Sequence, residues 1–277
     1  MQDISCLGQC SMTVALPILS VCGLETCILP TMVLSTHTGG LGEPVRRDLT
    51  ADIMPIAEHW QRQDICFDGI CVGYLGKAQQ ARMVGDIAQR LLSDGGLLIV
   101  DPAVADHGKL YGGIDERCVE EMKQLCHRAD VILPNITEAC LLAGIPYHQP
   151  QSEMQVHVLL DALEQQYGGN IVLTGVELEP GQIGFALRCG GEDRIYQRAR
   201  VGKAYHGIGD MFAAVFTGAA MQARDMFDAA VLAAEFTARV AAVTFADPAH
   251  GYGTKFETVL PWLVDQLQKN VEKSASM

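Results

Sequence analysis

The segment KAYHGIGDMFAAVFTGAAM, residues 203–221, places two glycines and one acid directly before a long apolar run. Gly207 and Gly209 allow a tight turn and leave unobstructed amides at the start of the following helix, a ready anion site. Asp210 falls in that helix's first turn, where the positive end of the helix dipole is expected to favour its ionised form. A carboxylate beside an amide nest suits phosphoryl transfer to an alcohol, the nest holding phosphoryl oxygens while the acid takes the hydroxyl proton late. The plainer reading is an acid that favours a helix N-terminus after an ordinary loop. Phe212 stands where a dinucleotide-binding G-x-G-x-x-G needs its third glycine, and no G-x-x-x-x-G-K-[ST], H-E-x-x-H or G-x-S-x-G occurs.

Upstream, short apolar runs at 26–33, 65–72, 97–102, 130–135 and 170–175 alternate with helical patterns at 51–62, 78–93, 115–127, 136–143 and 152–167. Near-continuous apolar strands alternating with helices indicate a parallel sheet covered on both faces. From residue 180 an antiparallel hairpin is expected around Gly190–Gly191, then helices near 209–222, 226–246 and 256–269. The chain reads as one domain over 1–277, with a frayed tail at 270–277. Its start passes within about three residues into a Gly-Gln-Cys-Ser loop, so a strand ahead of the first helix is expected to be missing or truncated.

Ligands of open parallel sheets bind beyond the carboxyl ends of the strands. The residues there are Thr36, His37, Thr38, Gly39 and Gly40, then Gly73 and Tyr74, then Asp101, then Asn135 and Glu138. Asn135 and Glu138 have the spacing of a capping box, or they present an amide and a carboxylate near a hydrated Mg²⁺. Asp101 reads equally as a turn residue before Pro102, and Tyr74 as a packing residue. THTGGLGEPVRRDLT, residues 36–50, has the glycine-rich polar texture of an active-site lid; within it Arg46 and Arg47 read as solvated, or as meeting a phosphate on closure. His206 borders the nest and reads as a packing residue.

A net charge of −13, from 20 basic and 33 acidic residues, disfavours non-specific binding to nucleic acid or anionic lipid. No uncharged apolar run approaches the ~18 residues of a membrane span. The ten cysteines, none in a C-x-x-C pair, read as reduced core residues of a cytoplasmic protein.

In order, DISCLGQCSMTVALPILS, LPTMVLSTHTGG, GICVGYLGKAQQ, VDPAVADHGKLY, ILPNITEACLL and HGIGDMFAA resemble the pyridoxal/pyridoxamine kinases of the ribokinase-like superfamily. The resemblance implies a three-layer α/β/α fold with a mostly parallel central sheet and a short flap. It implies transfer of the γ-phosphoryl group of MgATP to the 5′-hydroxymethyl group of a B6 vitamer, commonly by a homodimer. By position Asp210 matches the base, and Gly207, Ile208 and Gly209 the anion-hole backbone. Asp101 and Glu138, with Asn135 beside them, match the ATP and Mg²⁺ side, Glu138 acting on the metal through water. Thr38 and Tyr74 match ring contacts, and the segment from His37 the flap. Asp3 stands where many members have a serine that meets the vitamer, and Gly175 where some carry a lysine near ATP. The alternatives are a hydroxymethylpyrimidine kinase and a non-catalytic B6-vitamer binder.

Overall fold

The computed structural model describes residues 1–39, 41–203, 205–222, 224–247, 249–250 and 252–275, with side chains described to residue 269. Gly40, named above at the strand ends, lies outside the described residues, as do residues 276–277 of the expected tail.

Each apolar run forms a strand and each amphipathic run a helix, and the alternation along the strands builds two cores. The strands β1 (Gln2–Ser5), β2 (Pro30–Leu34), β3 (Arg46–Asp48), β4 (Phe67–Val72) and β5 (Leu92–Val100) come first. A small hairpin follows, β6 (Ala105–Asp106) with β7 (Lys109–Leu110), then β8 (Val131–Ile132), β9 (Asn170–Val176), β10 (Gln182–Cys189) and β11 (Glu192–Ala199). Pairing gives the order β11-β10-β9-β8-β5-β4 beside β1-β2-β3, parallel through the centre and antiparallel at both edges. Met1 joins the two sets, its amino group donating to the Cys71 carbonyl and its own carbonyl accepting from Gly73 N–H.

Side chains alternate across each strand. Val100, Ile132, Ile171 and Leu173 face one core, covered by α3 (Ala78–Leu91), α4 (Glu116–Cys126), α5 (Ile136–Ala143) and α6 (Glu153–Tyr167). Ile99, Val131, Val172 and Phe185 face the other, under α1 (Met12–Val21), α7 (Ile208–Met221), α8 (Met226–Phe245) and a closing 3₁₀ turn (Phe256–Val259) that leads into α9 (Leu260–Ala275). A third, smaller cluster packs Ile53 and Ala57 of α2 (Thr50–Gln61) against Ile87 and Leu91. The result is the three-layer α/β/α arrangement expected from the sequence. Among the described residues, no helix is long and apolar enough to cross a membrane.

Three expectations change. The missing first strand is corrected: Gln2–Ser5 form β1, parallel to β2 with Gln2 opposite Pro30 and Ser5 opposite Leu34. Its Gln2, Asp3 and Ser5 are all buried, so it is an inner strand without the apolar run by which inner strands are recognised. The strand expected over 26–33 begins at Pro30, since proline tolerates the first place of a strand. The closing helix runs to Ala275, well into the segment expected to fray. All ten cysteines are free, five buried and three (Cys6, Cys27, Cys66) exposed.

The second core seats α7. Phe185 of β10, fully buried, has ring centroids of Tyr196, Phe212 and Phe227 at 5.5, 6.1 and 5.5 Å. Phe185→Ala should therefore cost about 3–5 kcal/mol, read as a lower urea midpoint with unchanged slope; a loss under about 1 kcal/mol would show that the neighbours collapse into the space.

Candidate active site

The loops after β1, β2, β4, β5 and β8 converge on the N-terminus of α7. Gly207 caps this helix in the left-handed conformation, φ 83°, and a Cβ there would lie 2.3 Å from the Gln9 carbonyl oxygen. Only glycine accepts both conditions. No side chain caps the helix, so its first-turn amides have neither an intrahelical acceptor nor a capping side chain. A Cβ on Gly209 would meet nothing within 4 Å, which places this turn on open space.

Asp210 stands in the same turn and accepts a hydrogen bond from Ser11 N–H. Its carboxyl is pushed up to about 7, first by burial and then by the charge of Asp3, with the Ser11 bond opposing. This reverses the sequence-based expectation that the dipole keeps it ionised. A helix terminus contributes about 0.3–1 kcal/mol in ordinary settings, less than one pKa unit, and burial among acids outweighs it. Asp101, just past β5, is pushed up to about 8 by burial and by Asp210. Asp3 is 1% exposed; Ser5 Oγ donates to it at 2.9 Å and the Ser11 side chain also bonds it, while burial raises its pKa.

Asn135 and Glu138 form the reciprocal capping box of α5: Asn135 Oδ1 accepts from Glu138 N–H at 3.0 Å, and Glu138 Oε2 from Asn135 N–H at 2.9 Å. Glu138 Oε1 also accepts from Val104 and Ala105 N–H, at 3.1 and 3.4 Å, and Asn135 Nδ2 donates to the Ala105 carbonyl at 2.8 Å. The pair thus pins the segment that leads into the β6–β7 hairpin. Glu138 is 2% exposed, and burial followed by Asp101 raises its pKa despite these bonds.

On the ring side, Tyr74 is buried and its hydroxyl donates to the Gly112 carbonyl at 3.4 Å. His37 is buried in the flap, its Nδ1 accepting from Gly39 N–H at 3.1 Å and its ring 4.8 Å from that of His206. Burial and then His206 lower its pKa. Thr38 is exposed, beside this contact rather than within it. The flap also adds β3 to the sheet edge, which its polar composition concealed. Gly175 forms a bulge of β9 against β10 at φ 74°, with open space around its Cβ position. The backbone itself demands glycine there.

Sequence reasoning missed Ser11, whose bonds to Asp3 and Asp210 come from a loop far away in sequence, and Tyr111, whose phenol burial and Glu138, Asp106, Asp101 and Asp210 raise. Tyr111 ends the quoted VDPAVADHGKLY, the only local signal available.

Residues 49–254 match the family model described as phosphomethylpyrimidine kinase. The chain is 30% identical over 227 residues to the pyridoxine/pyridoxal/pyridoxamine kinase of Bordetella avium, covering 76% of this chain and 72% of the relative. The chain belongs to the pyridoxal kinase family. Within this family, the crystal structure of pyridoxal kinase from Lactobacillus plantarum superposes with a TM-score of 0.88 at 34% identity, over 96% of this chain and 95% of that one. A provisionally assigned phosphomethylpyrimidine kinase from Bacteroides thetaiotaomicron, in an orthorhombic form with pyridoxal, gives 0.88 at 32% identity over 94% and 93%. The fold is therefore that of the pyridoxal kinases.

Because Asp101 and Asp210 hold protons more tightly folded than unfolded, their contribution to stability is full below about pH 4 and is lost as pH rises through about 7 to 8. Asp101→Asn should match the parent's melting temperature near pH 5 and exceed it above pH 8. An equal gap at both pH values would show that folding does not raise the pKa of Asp101.

Proposed function

We propose that this chain transfers the γ-phosphoryl group of ATP to the 5′-hydroxymethyl group of a B6 vitamer, with Asp210 as the base. The observation that carries the reading is a carboxyl pushed up to about 7 in the first turn of an uncapped helix. A base with a pKa near the working pH combines a useful ionised fraction with a real affinity for the proton. The vitamer's hydroxyl oxygen forms the new bond to phosphorus as the bond from phosphorus to the ADP oxygen breaks, and the hydroxyl proton passes to Asp210. The amides of Gly207, Ile208 and Gly209 would hold the phosphoryl oxygens as charge redistributes. Asp3 and Tyr74 would hold the ring, with Thr38 and His37 supplied by the flap.

Mg²⁺ fits the Asp101 end of the site. Asp101 is part-exposed, forms no side-chain hydrogen bond among the described residues, and repels Asp210, a tension that a cation relieves. Bound with ATP, the ion would neutralise phosphate charge. Glu138 suits it less, since three backbone N–H groups already occupy its oxygens. We assign Glu138 to positioning the ATP-side backbone. A cytoplasmic location completes the reading, supported by the exposed thiols of Cys6, Cys27 and Cys66, which persist reduced in such a compartment, and a homodimer is what the family resemblance implies.

A hydroxymethylpyrimidine kinase is the second reading, favoured by the description of the matching family model. Assaying MgATP-dependent transfer to pyridoxal, pyridoxamine, pyridoxine and hydroxymethylpyrimidine separates the two. Transfer to the pyrimidine alone would overturn the B6 assignment, and vitamer binding without transfer would favour a binder. Asp210→Asn should lower kcat about 10²–10⁴-fold with ATP affinity unchanged; normal turnover would remove the base. Glu138→Gln should lower stability by about 1–3 kcal/mol, whereas a normal melt with Mg²⁺-rescued activity would return this carboxylate to the metal.

A further inference from the structure

Arg46 belongs to β3, the short strand that the flap adds to the sheet edge. Its side chain is 29% exposed and bonds Glu43, itself largely in solvent, at 3.0 Å. The guanidinium reaches inward to the loop after β7. A Cβ on Gly113 would sit 2.8 Å from Arg46 Nη1 and 3.9 Å from the Tyr74 hydroxyl, so this glycine lets the cation stand beside the phenol. Tyr74 feels both the Arg46 charge and the Asp3 charge. Asp3 acts on Asp210 as well, whereas Arg46 is not among the charges acting on it. The cleft therefore holds a cation beside the Tyr74 hydroxyl and an acid, Asp3, whose charge acts on both Tyr74 and Asp210.

We propose that Arg46 is a specificity-determining residue that pairs with the ionised 3-hydroxyl group of a 3-hydroxypyridine, while Asp3 faces the protonated ring nitrogen. The inference rests on the B6-kinase reading and names what that site selects. In such rings the basic nitrogen and acidic hydroxyl exchange a proton, giving a zwitterion. Nitrogen and oxygen lie on opposite flanks of the carbon that bears the reactive hydroxymethyl arm. A ring that offers this arm to Asp210 thus needs an anion along one flank and a cation along the other. Asp3 retains lone pairs beyond those used by Ser5 and Ser11, and Arg46 can exchange exposed Glu43 for the ligand. A 4-aminopyrimidine that offers its arm in the same place puts a neutral ring nitrogen where the vitamer's oxyanion-bearing carbon stands, so the guanidinium loses its charge-assisted partner.

The test compares kcat/KM for pyridoxine, 3-deoxypyridoxine and hydroxymethylpyrimidine in the parent, Arg46→Gln, Arg46→Lys and Arg47→Gln, whose side chain leaves the opposite face of the strand. Arg46→Gln should lower kcat/KM for pyridoxine about 10–100-fold, mainly through KM, and leave 3-deoxypyridoxine within about twofold. Arg46→Lys should keep most of the preference, and Arg47→Gln all of it. A loss shared equally by pyridoxine and its 3-deoxy analogue would mark Arg46 as a brace for the flap and overturn the assignment. A parent that phosphorylates none of the B6 vitamers would sink the kinase reading itself, a separate and visible result.

Discussion

The burial of several carboxyl groups in one cleft is the constraint around which this molecule is built. Asp3, Asp101, Asp210 and Glu138 all have raised pKa values, burial being the largest cause for each. Such a cluster is unfavourable unless the scaffold holds it and a cationic cargo or a transferred proton relieves it. The scaffold comes from neutral donors: Ser5 and Ser11 hydroxyls on Asp3, Ser11 N–H on Asp210, and three backbone N–H groups on Glu138. No lysine or arginine side chain bonds any of the four among the described residues, so their proton affinity stays high where chemistry can use it.

The sheet makes this arrangement affordable. Its parallel centre sends every strand end to the same edge, so acids far apart in sequence meet without a long loop. Two apolar cores on opposite faces hold that edge rigid, with Phe185 and its aromatic neighbours fixing α7 from beneath. The polar strand β1 fits the same logic: its buried side chains serve the cleft rather than a core.

How much of this was legible depended on whether the signal was local. The runs around Ile99, Val131 and Val172 announce inner strands because each is apolar on both faces. The Asn135–Glu138 spacing announces a capping box because both partners lie within one turn. β1 and β3 escaped because one is buried yet polar and the other is a charged edge strand. The proton affinity of Asp210 escaped for a different reason: the dipole argument uses residues 207–210, whereas its neighbours Asp3 and Ser11 come from the other end of the chain.

The Met1 junction has a mechanical meaning. Strands β1 to β3 carry Asp3, the flap and Arg46, while β4 to β11 carry Asp101 and the capped α5, and among the described residues the two sets are laddered by the bonds that Met1 makes to Cys71 of β4 and to Gly73 just beyond it. By contrast β10 and β11 share eight facing residue pairs, while β8 meets β5 and β9 over two pairs each. The sheet is thus stitched thinly between the strands that carry Asp3 and the flap and those that lead to Tyr74 and Asp101. Any shear that opens or closes the cleft can run along that line at low cost.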